Sequence, residues 1–155
     1  MKKVVSMCSL FFVLSLVFTG LAAAADAGTK EEAVTMVKKA IEFLKQNGEE
    51  KALAEISNPQ GQFVDRDLYV NVFDMNGKCL AHGANAKQIG RVLIDNKDID
   101  GKEYLKERIQ MMNAQPTGWQ DYKFRNPVTN QVEPKTMYIE RYKDWIFGCG
   151  VYKAS

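Results

Sequence analysis

From residue 29 onward, stretches in which apolar residues recur every three or four positions alternate with stretches in which they recur every second. In "TKEEAVTMVKKAIEFLKQNGEEKALAEISN", Ala33, Val37, Ala40, Ile41 and Leu44 form one helical stripe. Thr29, with Glu32 three residues on, has the spacing of a capping box. Asn47-Gly48 breaks the pattern, and a second helical piece from Glu49 to Ile56 keeps Leu53 and Ile56 together. "NPQG" closes the helical region.

Leu68 to Asp74 is rich in β-branched and aromatic residues, and Asn76-Gly77 follows it, which predicts a hairpin with a return strand from Lys78 to Gly83. A loop leads to a helix expected from Asp100-Gly101, carrying Tyr104, Leu105, Ile109 and Met112 and ending at Pro116 and Gly118. Three strands finish the chain: "GWQDYKFRN", "KTMYIERY" and "WIFGCGVY". The long turn "PVTNQVEP" separates the first two, and the tight turn Lys143-Asp144 separates the last two. The order predicts an α+β domain, with helices against one antiparallel sheet.

Composition adds limits. The chain has 155 residues, 46% hydrophobic and 26% charged, the size and mix of one globular domain. Residues 1–25 stand apart: a basic start, an uncharged apolar run, then a block of alanines, the layout of a secretory signal peptide cleaved near Ala25. The alternative is an uncleaved inner-membrane anchor, since Val4 to Ala25 is long enough to span a bilayer. Two of the 21 basic residues, Lys2 and Lys3, lie in this segment and none of the 19 acidic ones. The remainder balances at zero net charge, against the basic face that nucleic-acid binding requires. An exported, periplasmic or secreted domain spanning 29–153 is expected.

Candidate chemistry is sparse. His82, the only histidine, stands three residues after Cys79. On a regular strand Cys79 and His82 point to opposite faces, so a Cys-His dyad requires a bulge. The loop from Asn96 to Glu107 has oxygen-bearing residues at much of the spacing of a calcium loop: Asn96, Asp98, Asp100 and Glu107 with Gly101 at the sixth position. Its first position is Asn and its eighth is Glu103, which favours a polar loop in which Asp100 caps the next helix. Tyr122 and Tyr138 need hydroxyl partners if buried, and Lys135 opens the strand that carries Tyr138. No Gly-rich phosphate loop, CxxC or HExxH occurs, and no catalytic machinery is visible.

As a set, the strand ending in "DMNG", the "LAHG" return, the "IGRVLID" loop, and the Pro-Lys-x-x-Tyr strand before a glycine-rich final strand resemble a single Cache domain. This is the PAS-like extracellular sensor module of bacterial chemoreceptors and sensor kinases. The resemblance implies a five-stranded sheet in the order 2-1-5-4-3. A long N-terminal helix covers one face, and a loop and helix cover a small-molecule pocket on the other. It implies no enzyme and no cofactor. It implies a small metabolite ligand, with Trp119, Tyr122, Lys135 and Tyr138 as pocket-wall candidates and His82 and Tyr104 as looser ones. A small carboxylate held by Lys135 and tyrosine hydroxyls is the expected ligand. A free-standing module would act through a membrane receptor or transporter. In that strand order Cys79 and Cys149 lie about 10 Å apart, so both are expected free and buried, with a disulfide as the alternative pairing and a thiol-redox protein or enzyme using either cysteine as the alternative function.

Overall fold

The computed structural model describes residues 27–153, so the expected signal segment lies outside the described residues. Helix α1 (Lys30–Asn47) opens with the expected capping box: Thr29 Oγ1 accepts from the Glu32 N–H, and the Glu32 carboxylate accepts from the Thr29 N–H. It ends at Gly48, whose φ of 82° turns the chain into α2 (Glu49–Ile56). Six strands follow: β1 (Val64–Asp65), β2 (Leu68–Asp74), β3 (Cys79–His82), β4 (Thr117–Arg125), β5 (Val132–Tyr142) and β6 (Trp145–Tyr152). A short 3-10 turn, Ala86–Gln88, and α3 (Tyr104–Ala114) lie between β3 and β4.

All pairings are antiparallel, and the five main strands run β3-β2-β6-β5-β4. This is the expected order, with the two-residue β1 added beside β2. Three boundaries differ from the sequence reading. Helix α3 starts at Tyr104, because the preceding loop is held by Asp98, whose carboxylate accepts from the N–H groups of Asp100, Lys102 and Lys123. Asp100 caps nothing; its carboxylate pairs with Lys123. Strand β4 begins at Thr117, one residue before the expected Gly118, and β5 begins at Val132, because the β4–β5 hairpin extends past the end of β6 and tolerates Pro134 there.

The sheet separates two cores. On one face, α1 packs Ala33, Val37, Ala40, Ile41 and Leu44 against a floor that includes Val70, Val72, Phe147 and Cys149. On the other, α3 and the loop before it set Leu93, Tyr104, Leu105 and Met112 over Phe73, Cys79, Tyr122, Met137 and Ile146. Among the described residues no helix is long and apolar enough to cross a membrane.

One irregularity matters for the site. The β2–β3 register pairs Val72 with Ala81 but Phe73 with Cys79, leaving Leu80 as an extra residue. The bulge restores Cys79 to the face that carries His82. The expectation that the two point apart is therefore corrected: they share the α3 face, opposite Phe73 and Asn71.

Phe147 is fully buried in the α1 core. Phe147→Ala is expected to cost about 3–5 kcal/mol, read as a lower urea midpoint with unchanged slope.

Candidate functional site

The α3 face of the sheet is unusually polar for a buried surface. From β2 come Tyr69 and Asn71, from β3 His82, from β4 Gln120 and Tyr122, from β5 Lys135, and from β6 Tyr152, all buried. Gly148 and Gly150 on β6 make this possible. A Cβ on Gly148 would meet Asn71 Oδ1 at 3.0 Å and Met137 Sδ at 2.8 Å; one on Gly150 would meet Lys135 Cε at 2.7 Å. The bare backbone lets these long side chains lie across it.

Arg108 on α3 is the central feature. It is 1% exposed and is among the largest fully buried side chains. Its Nε donates to Gln120 Oε1 at 3.1 Å, while Nη2 has no partner. Gln120 also donates to the Tyr104 carbonyl at 2.7 Å, tying β4 to the first turn of α3. The guanidinium lies 5.5 to 5.9 Å from the ring centres of Tyr122, Phe73 and Tyr104. Ring faces attract a cation but do not replace a counter-ion.

Beside it, Asn71, Phe73, His82, Gln88, Tyr104, Tyr122 and Phe124 line a small cavity of about 10 Å³, room for roughly one water. No acid lines it. Asn71 Oδ1 is the second buried polar atom without a partner. His82 Nδ1 accepts from the N–H groups of Ala84 and Asn85 at 3.2 and 3.0 Å, which leaves its proton on Nε2. Burial, with the positive charges of Lys135 and Arg108, pushes the His82 pKa down to about 3, so the ring is neutral.

Lys135 lies behind this wall. Its Nζ donates to Tyr152 Oη at 3.2 Å and sits 3.9 Å from the Tyr69 ring centre; Tyr69 in turn stacks on His82 at 5.0 Å. Burial is the main cause that lowers its pKa to about 7. Neither Lys135 nor Arg108 is in an ion pair among the described residues.

The fold thus brings His82, Tyr104, Tyr122 and Lys135 to one face. It does not bring Trp119 and Tyr138 there. These two oppose each other across β4 and β5, 5.3 Å apart, with Tyr138 in the α1 core and Lys30 over the Trp119 ring. Strand alternation is the reason, since Tyr122 and Lys135 are an odd number of residues from Trp119 and Tyr138. Arg108, Asn71, Gln120, Phe73 and Gln88 are additions to the sequence candidates. Arg108 had a signal: Leu105, Arg108 and Met112 share one helical stripe, so an arginine interrupts an apolar face.

The alternative chemistries find little support. Cys79 and Cys149 are free, buried and on opposite faces of the sheet, so no disulfide joins them. Burial pushes both thiols up to about 12, away from thiolate chemistry. The Cys79 thiol donates to the Ala81 carbonyl, not to His82. In the Asn96–Glu107 loop, Asp98 is taken up by backbone N–H groups, and Asp100 and Glu107 pair with Lys123 and Lys102. No group of three or more His, Cys, Asp or Glu with metal-binding geometry occurs among the described residues.

The buried His82 and Lys135 give stability a defined pH dependence. For His82 the unfolded value of 6.5 exceeds the folded value of about 3. The unfolded chain protonates first, so stability falls as pH drops below 6.5, by up to about 1.4 kcal/mol per pH unit. For Lys135 the folded value of about 7 lies below the unfolded 10.5, so stability rises with pH across that window. Urea titrations at a series of pH values should show both limbs, with Lys135→Met flattening the alkaline one.

Comparison with known proteins agrees with this architecture. The single Cache domain 2 family matches residues 13–154. The chain is 32% identical over 90 residues to the methyl-accepting chemotaxis protein McpP of Pseudomonas putida, covering 57% of this chain and 16% of that protein. It is 29% identical over 89 residues to the sensor histidine kinase MctS of Rhizobium johnstonii, covering 56% and 19%. The chain therefore spans less than a fifth of the length of either relative. Among solved structures, a Cache chemosensory domain described for carboxylic acid recognition superposes with a TM-score of 0.71 at 23% identity, over 80% of this chain and 92% of that one. A methyl-accepting chemotaxis protein of Vibrio parahaemolyticus superposes at 0.67 and 24% identity, over 79% and 87%. At these identities the superpositions speak to the fold. With the family match spanning nearly the whole chain, the protein belongs to the single Cache domain 2 family, whose members are ligand-sensing modules of chemoreceptors and sensor kinases and not enzymes.

Proposed function

We propose that this domain is exported and binds a small organic acid in the cavity under α3, reporting its presence to a signalling or chemotaxis partner. The observation that carries the reading is Arg108, a buried guanidinium with a free Nη2 beside a cavity that no acid lines. A permanent cation in a low-dielectric site is costly without a counter-charge, and a carboxylate supplies one in fork geometry. His82 Nε2–H offers a second donor. Lys135 adds positive potential from behind Tyr69, and Tyr104 and Tyr122 form aromatic walls. The carboxylic-acid recognition described for one structural neighbour is consistent with this ligand class.

A two- or three-carbon acid exceeds a cavity of about 10 Å³. Entry therefore requires α3 and the preceding loop to move outward, and that displacement is the signal available to a partner. A membrane receptor or a transporter fits the partner's role. Residues 1–25 would direct the domain to the periplasm or outside the cell, or tether it there if they are not removed.

Small carboxylates at about 100 times their Kd should stabilise the domain by about 2.7 kcal/mol, seen as an upward shift of Tm. Arg108→Gln and Lys135→Ala should each remove the response. An unchanged shift in Lys135→Ala takes that residue out of the site; an unchanged shift in Arg108→Gln overturns the reading.

A further inference from the structure

The cover over the cavity is tied down at both ends, by contacts of different kinds. At its C-terminal end, α3 runs through Gln115 and Pro116 directly into β4. There Arg141 on β5 donates to the Met112 carbonyl at 3.3 Å and to Asn113 Oδ1 at 3.2 Å, and Met112 is buried against the sheet. The loop ahead of α3 is bonded to the β3 side only as far as Leu93. The Gly90 N–H donates to the Cys79 carbonyl at 2.8 Å; the Cys79 N–H donates to the Arg91 carbonyl and the Leu93 N–H to the Gly77 carbonyl, both at 2.9 Å. From Ile94 to Glu103 the bonds between backbone groups are local to the loop.

Residues 98–102 form a closed turn. The Asp98 N–H donates to the Lys102 carbonyl and the Gly101 N–H to the Asp98 carbonyl, both at 3.0 Å, and Gly101 takes a left-handed φ of 84°. Asp98 Oδ1 accepts from the N–H groups of Asp100 and Lys102, which completes the turn. Three contacts join this unit to β4. Asp98 Oδ2 accepts from the Lys123 N–H at 3.0 Å, Lys102 Nζ donates to the Asp121 carbonyl, and Asp100 pairs with Lys123 Nζ at 2.9 Å. The last is an exposed ion pair and holds little. The first has a charged acceptor and is stronger than a neutral hydrogen bond. Asp98 and Lys123 are only half-buried, so water can take over both groups when they part. Separation at the Arg141 end would also bare the apolar Met112. The turn is the end that releases at lower cost.

Resting on the reading of the cavity as a ligand site, we infer that Asp98 is the latch of its cover: the 98–102 turn lifts off β4 as a unit, α3 pivots about its Arg141-held end, and the ligand enters from the Asp98 side. Gln120 also grips this end, through the Tyr104 carbonyl and Arg108 Nε. A ligand anion can take the place of Gln120 on the guanidinium. Lys123 does not line the cavity, so no ligand there takes the place of Asp98.

Two cysteines give the latch an internal readout. Cys79 lies in the cluster under α3 and the loop, and Cys149 lies in the α1 core on the other face; both are free and fully buried. Alkylation of the intact chain by iodoacetamide, followed site by site by peptide mass, is expected to modify Cys79 faster than Cys149. Asp98→Asn keeps one oxygen for the turn and sets an amide NH2 against the Lys123 N–H. Losing that charged hydrogen bond should speed Cys79 by about tenfold or more and leave Cys149 unchanged. Lys102→Met removes the second contact with the strand and leaves the Asp98 carboxylate in place. It should also speed Cys79 selectively, and it decides the matter if Asp98→Asn does not fold. In either variant, amide exchange should rise over residues 94–108 and stay unchanged over 111–115. An unchanged Cys79 rate, Cys79 and Cys149 rising together, or exchange rising evenly along α3 would each overturn the inference. Alkylation and exchange need no ligand, so they decide the latch separately from the carboxylate reading, which fails if acetate, propionate and lactate all leave the Tm of the unaltered chain unchanged.

Discussion

A cation shut away from water without a counter-charge sets the terms for the α3 side of this domain. Arg108 is held by one amide and three aromatic rings, which orient it but do not neutralise it. The same burial acts on the basic groups around it. Burial keeps His82 neutral and pushes Lys135 toward the neutral amine, whose Nζ lies over the rings of Tyr69 and Tyr152. The α1 side has no such tension. Its buried core is apolar apart from Tyr138 and Cys149.

Gln120 shows how the two halves of the site are coupled. A single amide accepts from the guanidinium and donates to the carbonyl of Tyr104, four residues earlier on the same helix. The position of Arg108 and the first turn of α3 are therefore set together by one β4 side chain. An anion that drew the guanidinium toward itself would pull on this link and through it on the first turn of α3.

Much of the fold was legible because local chemistry and global packing agree. The stripe from Ala33 to Leu44 and the Thr29–Glu32 box specify α1 without reference to the rest of the chain, and Asn76-Gly77 specifies the first hairpin. The order of the strands was not legible from periodicity; it came from resemblance, since nothing local says that β2 pairs with β6. The bulge at Leu80 was hidden for a different reason. Its residues alternate well enough as an ideal strand, and only the β2 register shows the extra one. The site was half legible. Strand parity could have separated Trp119 and Tyr138 from Tyr122 and Lys135. Arg108 was overlooked because "LKERIQMM" reads as an ordinary amphipathic segment unless one notices that the arginine falls on the apolar side.

The Asp98 loop has a second role besides shaping the cover. It reaches the outer edge of β4, where Asp98 accepts from the Lys123 N–H and Lys102 Nζ donates to the Asp121 carbonyl. These contacts occupy main-chain groups that an edge strand otherwise offers to any passing strand. The cover over the cavity and the guard over the sheet edge are thus one stretch of chain. An outward swing large enough to admit a ligand would loosen both, and would bare the edge of β4 to a neighbouring strand.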